Sequence, residues 1–385
     1  MGAFLRNKLV LSAVFMMVFY QVLMIGVFMS GYSAMPKNMT KLPIAVVNED
    51  DRSGAEFVEQ MKGELPFPMV TGLSLSEAQR QLDDREVHLI IHIPADFTKA
   101  LSEQGTQAKM AFYVNDSTPA SVSSSMRTVA GQISDQVAKQ VQSQSFEGLL
   151  QGMNVPADQA AQTVEGIMSK ISPEIVSTNT PPSGMHNQMA PMFLTMATYV
   201  GAMIYSMMSV SALNQNKASM GKRKAFLSLQ GVNVVLSLFA PLVGVSVYFC
   251  VQGYGGEAFF KVWLVHALEM FTAIEFTSIF CMLFGQGGML LNLPILLSQT
   301  IAGGAVLPRE MMPGFFEAVS YVTPMFYTIQ LDYNVLFGGG QSSRWVAGLA
   351  LVGAGALLIN AVIHALKPLK AKGPAKEAVP QPLTN

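Results

Sequence analysis

Between Phe259 and Phe284, three ionisable residues, His266, Glu269 and Glu275, interrupt an otherwise apolar run. An Asp, Lys or Arg at the centre of a membrane helix costs at least ~2.5–3.5 kcal/mol on insertion scales, so such groups normally face a protein interior or water. His266 and Glu269 are three apart and share a helical face, an arrangement that can relay a proton or contact the polar part of a cargo. The alternative places Lys261, His266 and Glu269 in the headgroup layer, because the run begins nearby at Phe259. Glu275 lies deeper and reads as a buried carboxylate, either functional or packing. These three are the candidate pathway residues.

Elsewhere the chemistry is sparse. His88 and His92 fall in an apolar run that reads as a strand, where i and i+4 share a face but stand roughly 13 Å apart, too far to hold one metal. The only cysteines, Cys250 and Cys281, both lie in apolar runs, which excludes a disulfide framework or paired-Cys metal site in the polar part. Gly221-Lys222 is followed by Arg223, and Asn216 stands where a phosphate loop needs glycine. The sequence therefore predicts a non-enzymatic chain with no cofactor and no metal of its own.

The elements that must position these residues follow from charge distribution. Charged residues are 13% of the 385, against ~25% in soluble domains, and they concentrate between Pro36 and Asp158. Net charge is −1, with no concentrated basic face for nucleic acid. Leu9–Ser30 is long enough to cross a ~30 Å hydrocarbon core. It reads as a retained anchor, because a cleavable leader has a shorter apolar core ending in small residues. Five further spans are expected at Met189–Leu213, Phe226–Val251, Phe259–Phe284, Met289–Leu307 and Val346–Leu366. Lys and Arg favour short cytoplasmic loops. Ten of them (Arg6, Lys8, Lys217, Lys222, Arg223, Lys224, Lys367, Lys370, Lys372 and Lys376) lie on one side of this arrangement, and only Lys261, Arg309 and Arg344 lie near the short loops opposite. Both termini are thereby placed in the cytoplasm.

The predicted architecture is an α-helical polytopic membrane protein, six spans in a one-plus-five arrangement, with an α/β plus long-helix external domain. Its parts are an N-terminal tail and first span (1–31), the external domain (32–188), a five-span membrane domain (189–366) and a cytoplasmic tail (367–385). In the external domain, Leu42–Val47, Val87–Ile93 and Lys109–Val114 read as strands and Ser76–Leu82 as a helix. Val122, Met126, Val129, Ile133, Val137 and Val141 form one apolar stripe on a long helix, packed on the sheet or on the following Asp158–Ile171 segment, or else serving as a helical stalk or self-association seam. Thr178–Gly184, with Pro181-Pro182, reads as a stiff linker. Residues 307–340 are apolar but broken by Pro308, Pro313 and Pro324 and by Arg309, Glu310 and Asp332. Broken backbone is tolerated at membrane depth only under cover of protein or water. This stretch is therefore expected to form a re-entrant or surface-lying hairpin at the outer face, with Pro308, Glu310, Pro313 and Pro324 as its marks.

Several stretches carry a family resemblance: Ile44–Asp50 (IAVVNED), Ile91–Phe97 (IHIPADF), Gly303–Pro308 (GGAVLP), Met312–Phe316 (MPGFF), Val322–Tyr327 (VTPMFY) and Phe337–Gly340 (FGGG). In this order they resemble the membrane permeases of type-2 ABC exporters, particularly the phage-infection-protein (YhgE/Pip) branch, and so does the one-plus-five arrangement. Two places depart from that pattern. Asn214–Lys224 stands where many such permeases carry a Glu-Arg-Glu-x-Gly-Thr-like coupling turn, and Leu331–Asn334 stands where an Arg often follows the late Pro-x-x-Tyr element. The resemblance implies a plasma-membrane permease, paired with itself or a related permease and driven by a cytoplasmic ATPase subunit docking at Lys217, Lys222, Arg223 and Lys224. Hydrophobic or amphipathic cargo is expected, because no dense charge-lined conduit is visible. Two other classes stay open: a cell-surface receptor or secretion scaffold using the external domain, and a proton-coupled exporter using Glu275 and His266.

Overall fold

The structure is a computed structural model and describes residues 27, 30–31, 34–35, 37–52, 54–103, 106–151, 171–252 and 255–367. The expected first span apart from Val27 and Ser30, the Asp158–Ile171 segment up to residue 170 and the tail beyond 367 lie outside the described residues.

Short β-branched runs build the sheet. Strands β1 (Ile44–Asn48), β2 (Met69–Thr71), β3 (Ile90–Ile93), β4 (Ala108–Asn115) and β5 (Ile171–Thr178) are ordered β2-β1-β3-β4-β5. β1 is parallel to β2 and β3, β3 is antiparallel to β4, and β4 is parallel to β5, with Phe112 opposite both Ile91 and Ile175. Pro173 stands in β5 at the sheet edge, where the missing amide disrupts least. Between the strands lie helices α1 (Gly54–Glu64), α2 (Leu75–Asp83) and α3 (Phe97–Ser102), and α4 (Ala120–Gln151) joins β4 to the segment before β5. A capping box starts α2: the Ser74 hydroxyl accepts from the Glu77 amide, and the Glu77 carboxylate accepts from the Ser74 amide at 3.0 Å.

Strand side chains alternate between faces. Ala45, Val47 and Ile90 pack under α2 with Ala78 and Leu82. On the other face Ile44, Val46, Ile91, Met110 and Phe112 meet Val122, Met126, Ile133 and Val137 of α4. The long-helix stripe is thus sheet packing, as far as its side chains are described.

Among the described residues, four stretches are long and apolar enough to cross a membrane: Ala190–Lys217, Lys222–Cys250, Gly256–Ala302 and Ser342–Leu366. They correspond to α5 (Ala190–Met220), α6 (Lys222–Gln252), α7 (Gly256–Phe284) continued by α8 (Met289–Ala302), and α11 (Ser342–Leu366). Of the expected span over Met289–Leu307, the residues up to Ala302 form helix α8. α8 has 14 residues, about 21 Å at 1.5 Å each, and gives way to a loop at Gly303. It folds back along α7 at Gly288, where a Cβ would collide with the Phe280 carbonyl at 2.2 Å. Helix α7 packs against α5, α6, α10 and α11.

The proline-broken stretch forms a helical hairpin, α9 (Gly314–Val322) and α10 (Pro324–Leu336). Pro313 sits at the N-cap of α9 and Pro324 opens α10, the positions where a missing amide costs least. The hairpin lies under the α/β domain. Ser117 donates to the Tyr333 carbonyl at 3.0 Å, Ser121 to the Val306 carbonyl at 2.7 Å, and Asn38 to the Met311 carbonyl at 2.8 Å. Leu297, Ile301, Leu307, Met311, Phe316 and Phe326 belong to the same apolar core as the sheet.

His88 lies at this junction. Its ring is buried and its Nε2 has no partner. Burial, and then the Arg85 charge, lower its pKa from 6.5 to about 4. The unfolded chain therefore takes up this proton first, and stability that is full above pH ~6.5 falls as pH drops toward 4, by on the order of 3 kcal/mol. Melting midpoints of the purified chain in detergent at pH 7.5, 6 and 5 should fall with acidity, and His88→Gln should flatten that fall. Parallel curves for the two proteins would refute His88 as its source.

Candidate polar clusters within the helix bundle

Two clusters of polar side chains occupy the bundle. The first joins three helices. His266 Nδ1 lies 2.7 Å from Glu269 Oε2, one turn on along α7. Nε2 lies 3.3 Å from Asp332 Oδ2 of α10, in ion-pair rather than hydrogen-bond geometry. From α5, Thr195 donates to the same Asp332 oxygen at 3.4 Å, and the Thr198 hydroxyl is 3.3 Å from His266 Nδ1. His266, Glu269 and Asp332 are each 0% exposed and face the protein interior. Lys261 does stand outside, in an exposed ion pair with Glu257.

The charge count of this cluster is unbalanced. One imidazolium can neutralise one carboxylate, and the second must hold a proton or remain an uncompensated buried charge, at a cost of several kcal/mol. Among the described residues, Glu269 Oε1 and Asp332 Oδ1 find no hydrogen-bond partner. Such a group can take up and release a proton. Among the described residues no three His, Cys, Asp or Glu side chains are arranged to hold a metal ion.

The second cluster surrounds Glu275, about 9 Å further along α7 from Glu269. Its carboxylate accepts from Asn233 at 2.8 Å, Asn360 at 2.9 Å and Gln230 at 3.5 Å, and the Tyr205 hydroxyl donates to Asn233 at 3.0 Å. Neutral amides from α6 and α11 therefore surround this carboxylate, with no cation among its hydrogen-bond partners. The site ties α5, α6, α7 and α11 together, and the structure does not join it to the His266 cluster.

The basic turn between α5 and α6 divides in two. Lys222 donates to the carbonyls of Ala365 and Lys367 at 2.7 and 2.8 Å, capping the end of α11, and Lys217 donates to Asn214 at 2.9 Å. Arg223 and Lys224 are exposed. Lys367 in turn donates to the Leu283 carbonyl at 2.9 Å, so this end of the bundle is closed by cations on helix C-termini. At the domain end, Pro308, Pro313 and Pro324 shape the hairpin, and Glu310 is exposed.

Asp332 is the functional candidate that the sequence pattern did not bring to His266, since it stands 66 positions further on, within the helical hairpin. A lone carboxylate in the apolar α10 was the available signal. Thr195 and Thr198 gave none.

Comparison with known proteins agrees with this architecture. The family described as ABC-2 family transporter protein matches residues 11–363. A curated relative, the uncharacterized protein YhgE of Bacillus subtilis (strain 168), is 24% identical over 198 residues, which is 50% of this chain and 25% of that protein. The matched region thus spans a quarter of the relative's length. No solved structure matches. With its apolar helices around buried polar clusters and a family match over nearly its whole length, the chain belongs to the ABC-2 family of transporter proteins.

Proposed function

We propose that the chain is the permease subunit of an exporter that moves a hydrophobic or amphipathic substrate out of the cell. Two copies, or this chain and a related permease, form the pathway, and a cytoplasmic ATPase drives it from the Arg223–Lys224 turn. In this reading the α/β domain lies outside the cell, the basic end of the bundle lies in the cytoplasm, and the membrane is the plasma membrane. The supporting observation is geometric: the folded domain sits at one end of the long helices, and the exposed cations Arg223 and Lys224 sit at the other. The bundle interior carries isolated polar clusters and no continuous lining of charge, which suits cargo that is largely apolar.

Tagged protein purified from native membranes should retain an ATPase whose hydrolysis rises with cargo. Arg223→Glu with Lys224→Glu should cut that retention on the order of tenfold at low salt and leave the melting midpoint unchanged. Lys222→Glu should lower the midpoint as well, because Lys222 caps α11. Undiminished retention in the double variant would rule out this docking surface.

The charge count of the His266 cluster favours a second reading, in which proton movement through His266, Glu269 and Asp332 contributes to the cycle. Transport in vesicles that is indifferent to collapse of the proton gradient would eliminate it. The count also orders the stability of variants. His266→Ala leaves two acids facing each other and should cost about 3–5 kcal/mol. Asp332→Asn leaves the His266–Glu269 pair intact and should cost less, as read from unfolding in detergent. Equal losses would show that charge balance does not govern this site.

A further inference from the structure

Where the α/β domain meets the hairpin there is a cavity of about 340 Å³, at the small end of the range for ligand sites. Three of the chain's eight arginines line it: Arg85 from the turn after α2, Arg309 from the loop before α9, and Arg344 from the first turn of α11. Among the described residues, none of the three has a carboxylate oxygen within 4.0 Å. Their hydrogen-bond acceptors are neutral. Arg85 donates to the Ser117 carbonyl at 2.9 Å, to the Gln330 carbonyl and to the Asn334 side chain, and its Nε has no partner. Arg309 donates to the Ser320 hydroxyl at 2.8 Å, with the Tyr321 and Phe326 rings 3.9 and 3.8 Å from its guanidinium carbon. Arg344 lies 4.9 Å from the Trp345 ring centre. The buried His88, with its unpartnered Nε2, stands in the same wall.

A guanidinium cannot shed its charge at physiological pH. Aromatic rings hold it in place by its faces without neutralising it, and they leave its N–H edge free for an oxyanion. Forks arriving from three separate segments suit the several oxygens of a tetrahedral phosphate, whereas a flat carboxylate is served by one fork. The acids of the wall are at the rim. Glu86 and Glu310 are exposed, and Asp84 accepts from Gln341 at 3.2 Å. They disfavour a polyanion and accommodate a headgroup that also bears an ammonium. Next to the cavity, α9 exposes Phe315, Tyr321 and Val322 by 63%, 51% and 61%, an apolar track of the kind that covers hydrocarbon.

We propose that this cavity binds the phosphate of an amphiphile headgroup between Arg85, Arg309 and Arg344, with the hydrocarbon lying along Phe315 and Val322. The binding goes beyond export and does not require that the amphiphile be the transported cargo.

The chain has two tryptophans, Trp263 and Trp345, so Trp263→Phe makes the cavity its own fluorescent reporter. In the purified full chain, dihexanoyl phosphatidylethanolamine below its micelle concentration should shift Trp345 emission saturably, and roughly 0.5 M salt should weaken that response. Arg309→Gln and Arg344→Gln should each weaken binding by about tenfold or more. Arg344 is exposed, so its variant should keep the wild-type melting midpoint and its loss reads as lost binding. Inorganic phosphate much weaker than the lipid assigns the site to a lipid headgroup. Inorganic phosphate of equal strength assigns it to free phosphate. Both results sustain phosphate recognition. An equal shift with the phosphate-free monohexanoylglycerol, or undiminished binding in Arg344→Gln, overturns it.

Discussion

A charge inside an apolar bundle must be answered by a neighbouring helix, and α7 is where this constraint acts. Lipid and apolar helix surface are equally hospitable to leucine, so apolar contact alone does little to choose which face of a helix turns inward. Glu269 and Glu275 do choose. Gln230 and Asn233 are three apart and bring one face of α6 toward Glu275, while Asn360 fixes the rotation of α11. Asp332 brings α10 to His266, and Thr195 and Thr198 set the face of α5. The same residues that look expensive in the sequence thus define the packing of the bundle.

The α/β domain is continuous with the membrane part. One apolar core runs from Ile44 and Phe112 of the sheet through Met311 and Phe316 of the hairpin to Leu297 and Ile301 of α8. A small five-stranded sheet has limited surface to bury by itself, and the hairpin supplies part of what it lacks. This explains why the prolines and the short α8 interrupt the helical pattern: the chain turns aside there to furnish the underside of the sheet.

The sequence made the local structure largely readable and left the partnerships hidden. β1, β3, β4, α2 and α4 were visible because β-branched runs, a Ser-Glu-Ala helix start and a spaced apolar stripe are local signals. β2 was missed because it is only three residues long, and β5 because Ser, Pro and Glu dilute its pattern and its pairing with β4 supplies what its composition does not. Met289–Leu307 read as one apolar run because hydropathy records composition; it does not reveal the close backbone approach at Gly288 that turns the chain or the end of α8 at Ala302. Of the candidate site, the burial demand of His266, Glu269 and Glu275 was legible on α7, but the identity of their partners was not. The pairing of His266 with Asp332, like that of Glu275 with Asn360, depends on the fold bringing distant segments together. The basic turn was legible as a cluster, and only hydrogen bonding separates the capping Lys222 from the exposed Arg223 and Lys224.

Thr178–Gly184 read as a stiff tether between domain and membrane, yet its first residues are clasped. The Asn179 amide donates to Asp83 at 2.8 Å and to Asn115 at 3.2 Å. Its side chain lies against Gly338 and Gly339, where an added Cβ would meet it at 2.8 Å, and Gly338, Gly339 and Gly340 all have positive φ. Only glycine accepts that combination without strain. In mechanical terms the pivot is displaced from the prolines to this clasp. The clasp binds the start of this connection to the glycines between the last turn of α10 and the first turn of α11, so the fixed point where domain and bundle meet is a set of packed side chains and backbone, ahead of the prolines.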